Sequence, residues 1–269
     1  MDIQQQQLAA AALARLRLRT SSRDQAITDL PLAYRPQSLS EAYAVQAQVT
    51  SILENGESGP ACGWKIGCTT AVMQAYLNIK HPCAGRLYRD WLYVDHAELV
   101  VSDYFFLGLE CELAIRLSRD IDAMAGGHNV ASVSVAVDTV CTSVEIIEHR
   151  FVDFAKANSA SLVADDFFSA GCVVGAPVAI TEIADLASLR GGFHINGEAP
   201  DLTGTGAAIL GHPLAALAWL ADHAAHVGAP LRAGAIVTLG SVVKTIYPPA
   251  GSVIEARFNG LAPVSLKLV

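Results

Sequence analysis

Leu107-Gly108-Leu109-Glu110-Cys111-Glu112-Leu113-Ala114-Ile115-Arg116-Leu117 is an apolar run interrupted by two glutamates two residues apart. On a strand, successive side chains point to opposite faces, so Leu109, Cys111 and Leu113 face one way and Glu110 and Glu112 the other. One face is then fit for a core, and the other sets two carboxylates side by side. Neighbouring carboxylates repel, which raises a pKa unless a cation sits between them. Oxygen-only ligation of that kind suits Mg2+ or Mn2+. Alone, the pair reads more readily as the wet face of an amphipathic strand, and a third carboxylate changes that balance.

Glu145, in Ser143-Val144-Glu145-Ile146-Ile147, is the natural third member, because it interrupts an otherwise apolar segment and charges are seldom buried unpaired. Glu148, three residues on, is the alternative, and a surface glutamate at a strand end is the plain one. Lys65 stands alone between glycines in Gly63-Trp64-Lys65-Ile66-Gly67. There it is a desolvated acid–base group, an anion anchor, or a strand lysine that reaches out to solvent. Lys244, in Gly240-Ser241-Val242-Val243-Lys244-Thr245, has the same ambiguity and is a substrate-binding candidate. Cys83 lies two residues after His81; in an extended loop the pair would point the same way and lower the thiol pKa, whereas a lone cysteine in apolar surroundings simply packs.

Outward from these residues the texture divides. Residues 4–19 are rich in good helix formers, and Ser38 or Ser40 is placed to cap a helix over Glu41–Leu53. Short apolar runs then alternate with turns: 63–68, 91–94, 107–117, 130–140, 172–180, 235–243 and 253–258. One later helix starts with Pro213 at N1, His212 being its starting residue, and stops before Gly228 and Pro230. The expected organisation is an N-terminal helical segment, 1–75, packed on a β-rich catalytic domain, 76–269.

The 269 residues are 52% hydrophobic and only 16% charged, which excludes disorder and provides a large core. A net charge of −8 without a basic cluster excludes nucleic acid as an expected partner. Cys62, Cys68, Cys83, Cys111, Cys141 and Cys172 form no CxxC pair and read as reduced thiols of a cytoplasmic protein. Arg15, Arg17 and Arg19 follow an alanine-rich stretch, but an ordinary helix is expected there and not a leader. The uncharged stretch 202–221 is broken by Gly204, Gly206, Gly211 and Pro213, so no membrane partner is expected. There is no GxSxG, HExxH or phosphate-binding loop, and Gly204-Thr205-Gly206 lacks the third glycine of a dinucleotide fingerprint.

The segments GWKIGCTT (63–70), LECELAIRLSRDI (109–121), VEIIEHRFVDF (144–154), ADDFFSAGCVVG (164–175), NGEAPDLTGTGAAILGHPLAALAWLA (196–221) and FNGLAPVSL (258–266) come in an order spanning nearly the whole chain. In that combination the sequence resembles the fumarylacetoacetate hydrolase superfamily, in the branch of 2-keto-4-pentenoate hydratase and 4-oxalocrotonate decarboxylase.

The resemblance implies an α+β fold, a mixed β-roll of the fumarylacetoacetate hydrolase C-terminal-domain type, in a homo-oligomer built from dimers. It places Glu110, Glu112 and Glu145 on metal-ligand positions for Mg2+ or Mn2+ and Lys65 on the active-site lysine. It implies a metal-dependent lyase, a hydratase acting on a small 2-oxo or 2-hydroxydienoic acid in the catabolism of aromatic compounds. A decarboxylase, a C–C hydrolase or a non-catalytic assembly partner is the alternative. Two departures stand out. Hydratases carry an acidic Asp-(Phe/Tyr)-Gly where this chain has Cys83-Ala84-Gly85, and the family's Ala-Asp-Asn is Ala164-Asp165-Asp166 here. Asp165, or Asp166 beside it, is therefore the candidate for a displaced catalytic acid, and Cys83 for a substrate contact.

Overall fold

The computed structural model describes residues 1–18, 25–200 and 202–269. Arg19, and Asp201 within 196–221, lie outside the described residues. Among the described residues the six α-helices are Ile3–Arg17 (α1), Leu39–Glu54 (α2), Ala71–Tyr76 (α3), Val130–Ser134 (α4), Ser159–Ala164 (α5) and Pro213–His226 (α6). The first seven strands are Ala61–Gly67 (β1), Cys83–Tyr88 (β2), Leu92–Val94 (β3), His96–Leu99 (β4), Leu107–Leu117 (β5), Val137–Glu148 (β6) and Ser169–Val174 (β7). Six more follow: Val178–Ala179 (β8), Arg190–Ile195 (β9), Thr203–Thr205 (β10), Ile236–Ser241 (β11), Val253–Phe258 (β12) and Val264–Leu268 (β13).

Two mixed sheets form the body. The larger runs β2-β1-β11-β5-β6-β7-β3, with β8 on β6, and the smaller runs β10-β9-β12-β13-β4. Between them lies the main core, where Leu109, Leu113, Val144 and Ile146 of the large sheet meet Ile254, Ala256, Phe258 and Leu266 of the small one. The alternation in β5 holds: Leu109, Cys111 and Leu113 are fully buried in that core. α6 covers it through Leu214, Leu217, Leu220 and Ala224. α1, α2 and α5 share a second core through Leu13, Leu16, Val45, Val49, Leu162 and Val163.

Local chemistry accounts for the helix ends. Asp2 and Gln5 form a capping box on α1, and the Ser38 side chain accepts from Glu41 N on α2. His212 caps α6, its Nδ1 accepting from Leu214 N at 3.1 Å, with Pro213 in the first turn. Two expectations are corrected. Residues 130–134 form α4 and not a strand, because Asn129 and Ser132 make a reciprocal capping box that outweighs the β-branched composition. The boundary at residue 75 falls too late: β1 lies inside the large sheet, parallel to β11 with Gly63 opposite Ile236, so the helical segment ends before Ala61.

Candidate metal centre and its cavity

The position of the carboxylates follows from strand register. β5 and β6 are antiparallel with Glu110 directly opposite Glu145, and Glu112 lies two residues along the same face. All three carboxylates therefore converge, each offering an oxygen within 4.8 Å of the others. Glu112 and Glu145 are fully buried, and Glu110 is partly exposed. Glu110 Oε1 accepts from Thr245 Oγ1 at 2.6 Å, and Glu112 Oε2 from Gly240 N at 2.9 Å.

Lys65 comes from three strands away. Strands in a flat sheet are spaced about 4.8 Å apart, which would put β1 some 14 Å from β6. Lys65 Nζ nonetheless lies 3.1 Å from Glu145 Oε1, the two long side chains reaching toward each other over the strands between. Nζ also donates to the Phe167 carbonyl at 2.9 Å. Burial opposes the lysine's charge, but Glu145, Glu110 and Glu112 outweigh it and hold the Lys65 pKa above its ordinary value.

The carbonyl that receives Lys65 sits on an unusual turn. Asp166, Phe167 and Phe168 all have positive φ, at 53°, 47° and 71°. Left-handed non-glycine residues cost about 1–3 kcal/mol each and persist only where surroundings over-determine them. Here Asp166 accepts from Tyr88 OH at 3.0 Å and Arg86 N at 3.1 Å and pairs with the Arg17 guanidinium. Glycine lets the turn lie flat on the sheet: a Cβ at Gly85 would stand 2.6 Å from the Asp166 carbonyl oxygen.

Glu112 Oε1 and Glu145 Oε2 are buried without a hydrogen-bond partner among the described residues. One ammonium against three carboxylates leaves two negative charges, which a divalent cation matches. The donor set is oxygen-only, so the residues present fit Mg2+ or Mn2+.

This arrangement has a pH signature. Burial raises the Glu145 carboxyl to about 7, with Lys65 opposing and Glu110 adding to the rise. Glu112 is pushed well above the carboxylate range by burial and by Glu145. An unfolded glutamate titrates near 4.5, so between about 4.5 and 7 the cation-free folded protein holds protons that the unfolded chain has released. Its stability from Glu145 is greatest at the acid end and is lost as pH rises through about 7. Cation binding favours the deprotonated cluster. The rise in Tm produced by Mg2+ is therefore expected to grow between about pH 6 and pH 8. That growth should disappear in Glu145→Gln, and a gain equally steep in the variant would count against the assignment.

A cavity of about 530 Å3 opens beside the cluster, lined in part by Lys65, Glu110, Thr69, Tyr76, Phe167 and Lys244. Lys244 stands exposed at its rim. His149, which sequence reasoning passed over, lines the cavity with Nε2 2.9 Å from Tyr247 OH. Burial and Arg150 lower its pKa to about 4, so its imidazole is neutral. Its signal was the His149-Arg150 pair inside 144–154, an unusual polar step in an apolar segment.

Two candidates do not reach the cavity. Cys83 is fully buried in the helical-layer core, and no Cys83–His81 pair forms because His81 Nδ1 faces the Pro82 carbonyl at 2.7 Å and its ring stacks on Trp219. Asp165 is fully buried too, its Oδ2 2.7 Å from Arg150 Nε. Glu148, the alternative third carboxylate, accepts from Phe105 N at 2.8 Å and pairs with Arg150 at 3.2 Å, away from the cluster. These acids hold the fully buried Arg150 in place. Removing one partner of a buried ion pair costs about 3–5 kcal/mol. Asp165→Ala is expected to lose about that much in denaturant unfolding; a cost below about 1 kcal/mol would show that Arg150 does not need it.

No family model matches the chain. It is 30% identical over 236 residues to a 4-oxalocrotonate decarboxylase of Pseudomonas putida, covering 88% of both chains. It is 33% identical over 252 residues to a 2-keto-4-pentenoate hydratase of Paraburkholderia phymatum, covering 93% of this chain and 94% of the other. The chain belongs to the fumarylacetoacetate hydrolase superfamily, in its hydratase and decarboxylase branch. Within the superfamily, the 4-oxalocrotonate decarboxylase from Pseudomonas putida G7 complexed with magnesium and adipate superposes with a TM-score of 0.91 at 25% identity, over 100% of this chain and 99% of that one. The expected α+β roll is the superfamily's fold. No helix among the described residues is long and apolar enough to cross a membrane.

Proposed function

We propose that the protein is a divalent-metal-dependent lyase, a hydratase of a small 2-oxo or 2-hydroxydienoic acid from the breakdown of aromatic compounds. The observation that carries this is the convergence of Glu110, Glu112 and Glu145 beside Lys65 at the wall of one cavity. Relatives named as hydratases and a decarboxylase, one of them solved with magnesium and a dicarboxylate, support it.

Glu110, Glu112 and Glu145 would hold the ion, Mg2+ or Mn2+. When bound, it supplies Lewis acidity toward the oxygens of the oxo acid. Thr245 Oγ1 and Gly240 N fix the orientation of Glu110 and Glu112. Lys65, clamped by the Phe167 carbonyl, has a proton to give during enol–keto exchange, or anchors the substrate carboxylate. Lys244 at the rim draws an anionic substrate toward the cavity. Phe154, Phe167, Phe168 and Tyr76 keep the cavity walls apolar and limit water.

Decarboxylation is the second reading, favoured by the burial of Cys83: no acid replaces the one hydratases carry there, and Asp165 is committed to Arg150. Ultraviolet decay of 2-hydroxypentadienoate and of an oxo-hexenedioate, with Mg2+, with Mn2+ and with chelator, tests both. Metal-dependent loss of the dienoate without carbon dioxide is expected. Carbon dioxide release from the diacid alone would select the second reading, and no metal-dependent turnover of either would overturn the proposal.

The proposal includes a homo-oligomer built from dimers, supported by exposed apolar side chains at Val72, Tyr76, Phe106 and Val152. Light scattering of the purified chain tests it. A reducing, cytoplasmic setting is supported by six free cysteines.

A further inference from the structure

A second and larger cavity, about 840 Å3, lies between α2 and α6 on the other side of β1. Trp64 follows from strand alternation: its neighbour Lys65 faces the carboxylates, and Trp64 faces this groove. Across the β1–β2 pair Trp64 is opposite Arg86, whose guanidinium carbon sits 3.3 Å from the centre of the indole ring. α6 contributes a stack of planar groups. Trp219 lies 5.2 Å from His223 at 5° between planes, and 6.2 Å from His81 at 17°. Tyr43 of α2 closes the row, 4.2 Å from His223.

The groove holds one guanidinium, Arg86, in an acidic protein. Among the described residues no carboxylate lies within ion-pair distance of the Arg86 guanidinium, and burial lowers its pKa from the ordinary value. Asp222, the one acid lining the groove, turns both carboxylate oxygens to His128 N at 3.0 and 3.1 Å. His223 Nε2 is buried with no hydrogen-bond partner among the described residues. Burial and the neighbouring His226, His81 and Arg86 hold His223 neutral, its pKa down at about 4.

We propose that this groove is a second ligand site, taking a single-ring aromatic carboxylate. Stacking on Trp64 uses one face of the Arg86 guanidinium and leaves its in-plane N–H fork to bind a carboxylate bidentately. Trp219 and Tyr43 line the groove with ring atoms against which an aromatic ligand can pack. The volume is that of a small-molecule site. The site is separate from the carboxylate cavity, since β1 divides them, and it does not depend on the reaction catalysed there.

Two of the protein's three tryptophans line the groove, and the third, Trp91, is buried elsewhere, so fluorescence reports occupancy. Sodium benzoate titrated into the intact protein is expected to quench saturably, at least about tenfold more tightly than benzamide or cyclohexanecarboxylate. Arg86→Gln should weaken benzoate about tenfold or more, with Trp219→Leu as a second variant should the first fail to fold. Lys65→Met should leave it unchanged. No saturable quench, equal binding of benzamide, or loss of binding in Lys65→Met with Arg86→Gln unaffected would each overturn the proposal.

Discussion

Lys65→Met is expected to lower kcat about 10^3-fold or more, the scale of a lost proton-transfer group, while far-ultraviolet circular dichroism and bound metal stay as in the wild type. The geometry explains why the loss should be confined to chemistry. Lys65 touches the Phe167 carbonyl and Glu145, and Met fills much the same volume in a site where Lys65 is 1% exposed. Losing the ammonium leaves the three carboxylates more negative, so the affinity for Mg2+ should hold or rise. A variant retaining near-normal turnover would remove Lys65 from the mechanism. One that binds the metal poorly would make it a structural counterion.

Glu145→Gln attacks the other half of the site. Gln keeps the shape and removes the charge from the member that faces Glu110 across the ladder. Metal affinity should fall about 100-fold or more, beyond the 10–100-fold typical of residues one shell further out, and activity should fall with it at any practical Mg2+ concentration. In the absence of metal the variant should be as stable as the wild type or more so at about pH 8, because a buried carboxylate with an unpartnered oxygen has gone. Titration calorimetry and thermal unfolding read the two effects separately. Unchanged Mg2+ affinity would place the ion elsewhere.

How far these residues could be read in advance depended on whether the signal was local. The β5 alternation is local, and it placed Glu110 and Glu112 on one face before any partner strand was known. Glu145 stood out as a charge in an apolar run, but that it faces Glu110 is a fact of register between distant segments. The same holds for β1. Its strand character was plain from Gly63–Cys68, yet its place beside β11 depends on residues near 236, so the helical segment was drawn too long. β2 went unseen because Cys83-Ala84-Gly85 carries little β-propensity. Depth is what resemblance alone could not supply: Cys83 and Asp165 occupy suggestive positions, but one packs behind the cavity and the other holds Arg150. His149 was lost among eight histidines with no ligand spacing.

The parallel pairing of β1 with β11 also constrains when the site can exist. Every candidate ligand and Lys65 lie before residue 150, so most of the chemistry is synthesised early. Glu110 and Glu112, however, take their fixing hydrogen bonds from Thr245 and Gly240, and β11 is the strand that joins β1 to β5. Until the last thirty or so residues leave the ribosome, the emerging chain holds three adjacent acids with no wall to orient them. Contacts of such long sequence separation form slowly. The wall that orients the acids is thus the last part of the site to be synthesised, and a chain ending before Ile236 would carry all three acids without the groups that fix Glu110 and Glu112.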